Sequence, residues 1–528
     1  MTFAKPWDDK CSIACSAFVA GIVALVLIFF AGAPRARLNV MQGVTVLFFA
    51  VMFVALRRRG QEREGESTGA VESAAFLPLI GMVFAAGIWA AGFTSFFIND
   101  DFGVLPQTRP LNAGLLASFF GKGGQIFYRP LTYSTYAIDQ FFWEQNPVGF
   151  HLTNLILHAA STAGLFLTTQ HLTRNRRAAF MTAGIFFAMP IQVESVTWMS
   201  GRFDVLSTCL CIWTILAYLR FREESGTARY ILALVIAALA MCSKETAFVL
   251  PLLLCAVEIL VFRSLPILRL GGFFATAAMM FAVRWIALGG FGGYRAGGES
   301  TMTGFTWNSL LTLLVRGPTQ LLLGFNWTQP SHWIIPVAVL TAAVLFFIVI
   351  SAHFTDACRR IVLLGCAWMV LAMVPGQFML GIGPGLSNSR ILCLASAGMA
   401  LLLGQLLSAQ PQRSRNIAYA GLAALFMLGV WHNLQAWRWT SNIGAETLRQ
   451  VVQLEPSPPK NARFVLSNLP ADIRGVFFFD AGLNDGFQMF YNRDDIHAYR
   501  DAAPSNAGPQ IRLIWNGDGN PGDLIRRE

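Results

Sequence analysis

Charge is what this sequence has least of. Only 13% of its 528 residues are Asp, Glu, Lys or Arg, and 55% are hydrophobic. Soluble domains carry about a quarter charged residues, so a soluble protein of this length is excluded. The formal net charge of +10 does not point to nucleic acid, because the basic residues sit in short loops between apolar stretches, where they set topology. The nine cysteines lack CxxC or Cys/His ligand spacing. Most lie inside apolar segments, which reads as buried thiols. The tail after Trp439 has no cysteine, so no disulfide framework holds it. It also lacks a repeat of about 34 residues, which disfavours a helical-repeat tail. A cleavable signal peptide is not expected, since the first apolar segment, Ser12 to Ala33, is too long for one.

What is present is a series of apolar runs long enough to cross the ~30 Å hydrocarbon layer. They predict about 13 spans, at 12–33, 38–56, 76–97, 150–172, 178–198, 204–221, 229–243, 246–262, 270–289, 333–353, 361–380, 391–409 and 416–432. Alternate loops are basic: Arg57-Arg58-Arg59, Arg174 with Arg176-Arg177, Arg220 with Arg222, Arg263 with Arg269, Arg359-Arg360, and Arg413 with Arg415. The positive-inside rule puts these loops and the N-terminus in the cytoplasm and the C-terminal tail outside. Arg35 and Arg37 run against that pattern. The apolar stretch 307–327 carries Arg316-Gly317-Pro318 and reads as re-entrant or interfacial. The fold class is an all-α polytopic membrane protein with a small soluble C-terminal α/β appendage. Its expected parts are 1–75 (two extra helices and a linker), 76–290 (a catalytic membrane module with the outer loop 98–150), 291–439 (further spans) and 440–528 (the soluble domain).

The acidic pair Asp100-Asp101 stands where the apolar stretch Phe76 to Phe97 ends. Adjacent carboxylates at the lip of a bilayer are costly to desolvate and raise each other's pKa, which suits a base working near neutrality. The bland alternative is that they cap the helix that follows. Ser243-Lys244-Glu245 sits between two apolar helices with almost no loop, and Glu194 and Arg202-Phe203-Asp204 flank Trp198 in another tight connection. Charges held there must pair with one another or line a wet cavity. With Lys122, Arg129, Asp139, His151 and Arg390 they predict one polar pocket at the outer ends of the helices, roofed by the 98–150 segment.

Five motifs follow in order: Asn99-Asp100-Asp101; Tyr128-Arg129-Pro130-Leu131; the run Asn146 to His158; Pro190 to Val196 with Ser200 to Leu206; and Ser243-Lys244-Glu245. Together they resemble the membrane domain of the GT-C glycosyltransferases, in the branch that includes the TMTC-type protein O-mannosyltransferases and bacterial relatives. The resemblance is best over residues 76–262, with Ser389-Arg390 and Asn433 to Trp437 as later echoes. Met189 stands where members usually have His before Pro190. The tetratricopeptide repeats of eukaryotic members are not found in this sequence, which favours a bacterial enzyme.

The resemblance implies an inverting enzyme of the bacterial cytoplasmic membrane with a periplasmic site, a polyprenyl-phosphate sugar as donor, and a hydroxyl acceptor on protein, lipid or glycan. The base is then Asp100 or Asp101, with Asp100 favoured. Arg129, Lys244, Arg202 and Arg390 would hold the donor phosphate. Tyr128, His151, Glu194, Asp204 and Glu245 would bind or orient substrate. Simpler pairings compete: Arg129 with Asp139, Arg202 with Asp204, and Glu194 and Glu245 as counter-charges to Arg202 and Lys244. His158, deeper in its helix, reads as a core histidine. No cofactor is required and no metal-ligand spacing appears, though a divalent ion between Asp100 and phosphate stays open. Two other classes fit a polytopic chain. A secondary transporter or lipid-linked-sugar flippase would need midplane charges and internal repeats. A non-catalytic envelope scaffold would act through its tail.

Overall fold

A computed structural model of the chain describes residues 34–56, 69–108, 112–120, 127–293, 295–296, 299–300, 307–379, 383–504, 508–516 and 524–527. The first expected span, 12–33, and Lys122 lie outside these residues. The helices in chain order are α1 Pro34–Leu56, α2 Gly69–Ala90, α3 Asp100–Val104, α4 Ala113–Phe120, α5 Pro130–Trp143, α6 Pro147–Thr173, α7 Arg176–Ala188, α8 Val193–Thr197, α9 Arg202–Glu224 and α10 Thr227–Met241. They continue as α11 Leu250–Val257, α12 Ile267–Leu288, α13 Trp307–Leu311, α14 Gly317–Leu322, α15 Ile334–Ser351, α16 Asp356–Met373, α17 Cys393–Ser408, α18 Gln412–Leu454 and α19 Leu483–Tyr491.

Among the described residues, eight helical segments are long and apolar enough to cross a membrane, or nine when α7 and the Pro190–Thr197 segment, bent by 47°, count as one. Three more apolar helices are shorter: Asn39–Val54, Ile80–Thr94 and Thr227–Met241. The chain is a multi-pass membrane protein, and the figure of about 13 crossings is not confirmed among the described residues: 12–33 lies outside them, and 38–56, 76–97 and 229–243 correspond to the shorter helices. Two of the expected spans depart from a straight helix. The stretch read as one span over 178–198 breaks at Met189-Pro190, where the ring removes a backbone donor. The 76–97 stretch leaves helical geometry after Thr94.

The expected span 416–432 is only the first half of α18, a helix of 43 residues and about 65 Å. Its second half leaves the bundle and carries the C-terminal domain. There β1 Arg463–Ser467 lies between β2 His497–Arg500 and β3 Gln510–Trp515, parallel to both, and β4 Ile525–Arg527 closes the edge antiparallel to β3. The helix α19 lies in the connection from β1 to β2 and packs on the sheet through Phe487 against Phe464. This domain is less an appendage than a second layer. One apolar cluster runs from Phe464, Phe487 and Leu513 through Ile443 and Leu448 of α18 to Phe97, Phe102, Phe150 and Phe203 at the end of the bundle.

The basic loops meet at the opposite end. Arg222 bonds the fully buried Glu258 at 2.8 Å, Arg174 pairs with Glu223, and Arg360 Nη1 donates to the Val261 carbonyl at 3.4 Å. These three basic loops therefore share one end of the bundle.

Helices α16 and α17 cross at a glycine pair. A Cβ on Gly398 would stand 2.7 Å from the Gly365 carbonyl oxygen, and one on Gly365 would stand 2.7 Å from that of Gly398. Small residues let membrane helices approach to backbone contact. Gly398→Leu should lower the thermal midpoint in detergent by several degrees, an overpacking cost of about 3 kcal/mol. Gly43→Leu, where a Cβ meets nothing within 4 Å, should leave the midpoint in place; scanning fluorimetry compares the two.

Candidate active site

Two tight connections build the floor of the site. After α10 the chain turns at Ser243, and Lys244 adopts an extended backbone before the next helical turn begins at Glu245. The Tyr128–Leu131 motif docks on this turn. Pro130 occupies the first position of α5, Arg129 precedes it as N-cap, Leu131 N donates to Cys242 O at 3.2 Å and Thr132 Oγ1 to Ser243 O at 3.1 Å. Arg129 and the Lys244-Glu245 pair, more than a hundred residues apart in sequence, are thereby held side by side.

Each cation in this region leans on a carboxylate. Arg129 forks onto Glu245, with Nη2 at 2.7 Å and Nε at 3.1 Å from Oε2. Glu245 also takes Arg284 Nη1 at 2.6 Å. Lys244 Nζ lies 2.5 Å from Asp204 Oδ1. Arg390 Nη1 lies 2.7 Å from Glu194 Oε1, its Nε stands 3.9 Å from Asp204 Oδ2, and its guanidinium lies 4.6 Å from the Trp198 ring centroid. Asp204 Oδ2 is buried without a hydrogen-bond partner.

These side chains surround one cavity of about 690 Å³, including its open mouth. Its walls are Asp100, Arg129, Lys244, Glu245, Asp204 and Arg390, with Phe127, Trp198, Ser200, Phe203, Thr246, Pro375, Gly376 and Ile391 between them.

The two acidic neighbours have different fates. Asp101 is 1% exposed and wholly engaged: Oδ2 accepts from Ile98 N at 3.0 Å, and Oδ1 from Ser200 N at 2.9 Å and Ser200 Oγ at 2.6 Å. It ties the loop after α2 to the turn before α9. Asp100, next to it, is half-buried and lines the cavity, where Asn99 Nδ2 donates to its Oδ1 at 3.1 Å. Burial lifts the Asp100 pKa above the usual carboxylate range; Arg390 and Arg129 pull it down and Asp480 pushes it up. Burial raises Asp101 to about 7 against the pull of its Ser200 and Ile98 donors.

A family described as dolichyl-phosphate-mannose-protein mannosyltransferase matches residues 141–286. The human protein O-mannosyl-transferase TMTC1 is 32% identical over 173 residues, 28% of this chain and 20% of that protein. Human TMTC4 is 25% identical over 389 residues, 60% of this chain and 52% of that one. The chain therefore spans about a fifth of the first of these relatives and half of the second. Among solved structures, ArnT from Cupriavidus metallidurans bound to undecaprenyl phosphate superposes with a TM-score of 0.51 at 10% identity, over 83% of this chain and 93% of ArnT. Its apo state gives 0.53. The chain has an ArnT-like GT-C fold, and its residues 141–286 are similar to the mannosyltransferase family.

Within this GT-C fold the sequence-named residues divide. Asp100, Arg129, Lys244, Asp204, Glu245 and Arg390 share the cavity. Glu194 stands behind it and orders the turn that carries Arg390, accepting from Asn388 N, Ser389 Oγ, Arg390 N and Arg390 Nη1.

Three residues do not reach the cavity. Arg202 is fully buried and points away, ion-paired with Asp139 Oδ2 at 2.5 Å and donating to Asn154 Oδ1 at 2.8 Å and Phe150 O at 3.0 Å. Its salt-bridge partner is Asp139, not Asp204, because residues two apart on α9 leave from different faces. His151 faces inward, its Nε2 3.0 Å from Ser95 O, and not the mouth. Tyr128 is buried beside the motif's arginine. His158 packs flat on Phe187 and edge-on to Trp89, a core position.

Residues that the motifs passed over also matter. Arg284 is an ionisable group inside an apolar run, which is itself a signal. Ser200 opens one of the motifs, but its hold on Asp101 leaves no mark in the sequence. Among the described residues, no three His, Cys, Asp or Glu side chains form a metal-holding group.

Asp101 makes stability depend on pH. Its pKa moves from 3.8 to about 7 on folding, so folding favours its protonated form. Its contribution is full below the unfolded value and is lost as pH rises through the folded one. Between about pH 5 and pH 8 the wild type should lose thermal stability relative to Asp101→Asn, measured as the difference between their melting midpoints.

Proposed function

We propose that this chain is an inverting GT-C glycosyltransferase that moves a sugar from a polyprenyl phosphate to an acceptor hydroxyl on the non-cytoplasmic face of a bacterial inner membrane. The observation that carries this reading is the convergence of one half-buried carboxylate, Asp100, with Arg129, Lys244 and Arg390 around a single cavity at the end of an apolar bundle. A lipid-linked donor keeps its isoprenoid in the bilayer and its phosphate at the rim, which is where these cations are. ArnT, whose structure holds undecaprenyl phosphate, supports a polyprenyl-phosphate donor, and the relatives' names support mannose as the first sugar to try.

In this reading the acceptor oxygen attacks the anomeric carbon as the carbon–oxygen bond to phosphate breaks. The acceptor proton passes to Asp100, and the bonding pair leaves on the phosphate oxygen. Arg129, Lys244 and Arg390 stabilise the charge that gathers on the departing phosphate. Glu245, Asp204 and Glu194 hold the three cations in place and lower the cost of burying them without substrate. Arg202 and Asp139 are assigned to the scaffold. The mouth lies at the end opposite the basic loops, so the C-terminal domain is assigned to the periplasm. A transporter draws no support from this arrangement, because the site's charges gather at one end of the bundle.

Asp100→Asn should cut turnover of mannosyl-phosphoundecaprenol by about 10²- to 10⁴-fold, the worth of a general base. Arg129→Ala and Lys244→Ala should each weaken capture of undecaprenyl phosphate at least about tenfold, read by native mass spectrometry in lipid-free detergent. Wild-type turnover in Asp100→Asn, or capture unchanged in both cation variants, would contradict the reading.

A further inference from the structure

The segment that carries Asp100 does not stand on the membrane bundle alone. Asn99 has φ 54° and ψ −121°, a sparsely populated conformation for a side-chain-bearing residue that persists only when its surroundings over-determine it. What holds it comes from the C-terminal domain. Ala481 N donates to Asn99 Oδ1 at 2.8 Å, while the other end of the same amide donates to Asp100. Gly482, at φ +74°, sits so close that a Cβ there would stand 2.2 Å from Asn99 O. Phe479 stacks on Phe102 with centroids 5.9 Å apart and planes at 16°, and Asp485 Oδ2 would stand 3.3 Å from a Cβ on Gly103.

We propose that the C-terminal domain is a working part of the active site, its 479–482 loop acting through the positioning residue Asn99 to set the Asp100 carboxylate. The amide of Asn99 spans the two: its oxygen is fixed by a backbone N–H of the soluble domain, which leaves its nitrogen aimed at Asp100. A shift of that loop therefore moves the base, and an acceptor pressing on the domain can reach the chemistry by this route. The loop also brings charge. Asp480, exposed and next to Ala481, opposes ionisation of Asp100, whereas Arg390 and Arg129 favour it; Lys244, Asp204 and Glu245 line the remaining walls.

This inference rests on Asp100 as the base for its kinetic consequences, but the mechanical link can be read without activity. In the full-length protein, Asn99→Ala and Gly482→Ala should both speed amide hydrogen exchange across residues 98–103. With mannosyl-phosphoundecaprenol as donor, both should lower kcat by about 10- to 100-fold and leave donor KM within about twofold. Asp480→Asn, on the surface, should keep the melting midpoint and move the acid limb of the kcat/KM profile to lower pH, because one charge opposing Asp100 ionisation is gone. Unchanged exchange in both loop variants overturns the link, whatever Asp100→Asn does. Faster exchange with loss of turnover in Asn99→Ala, but full turnover in Asp100→Asn, keeps the link and overturns only the base. An acid limb that superimposes on wild type removes Asp480 from the site.

Discussion

Lys244 can be buried, and Arg129 and Arg390 largely withdrawn from water, at the end of an apolar bundle only because each is paired with a carboxylate from another segment. An isolated buried cation costs several kcal/mol, and removing one partner of such a pair is strongly destabilising. The chain meets this by joining α5, α8, α9, the 243–245 turn and the 389–392 turn through Arg129–Glu245, Lys244–Asp204 and Arg390–Glu194. The fold around the cavity follows from that pairing. Helices that share no sequence neighbourhood are fixed in rotation and height by where their charges must meet.

The same pairing shapes the chemistry. In the proposed reaction a phosphate entering the cavity would not find bare cations; it would compete with Glu245 and Asp204 for them. Arg129 and Lys244 still offer charge-assisted donors to it, and Asp204 already holds one oxygen without a hydrogen-bond partner. Asp101 belongs to the frame: its three donors fix the loop after α2 against Ser200. Asp100 is left facing the cavity. One carboxylate holds geometry and its neighbour faces the cavity, the position the proposed base requires, a division that environment alone produces.

Much of this was legible in the sequence, and the limits have physical causes. Charges in an apolar chain are conspicuous, so Asp100, Arg129, Glu194, Lys244 and Arg390 could be placed near one pocket from their tight connections. Partner choice could not. Whether Arg202 meets Asp204 or Asp139 depends on which face of α9 each side chain leaves from, and residues two apart on a helix do not face each other. His151 and Tyr128 belong to the right motifs, yet their rings point into the protein. The bend at Pro190 and the length of α18 were hidden because apolar composition fixes length poorly. The hold of the C-terminal domain on Asn99 leaves almost no trace in the sequence. It works through a backbone N–H at Ala481 and the missing side chain of Gly482.

The central claim is that the cavity holds a lipid phosphate within reach of Asp100. The most direct measurement is cryo-electron microscopy of the protein in nanodiscs with undecaprenyl phosphate added. The account predicts phosphate density inside the cavity, against Arg129, Lys244 and Arg390, with the isoprenoid leaving toward the bilayer. An empty cavity with the lipid phosphate bound elsewhere, and Arg129 still closed on Glu245, would contradict it.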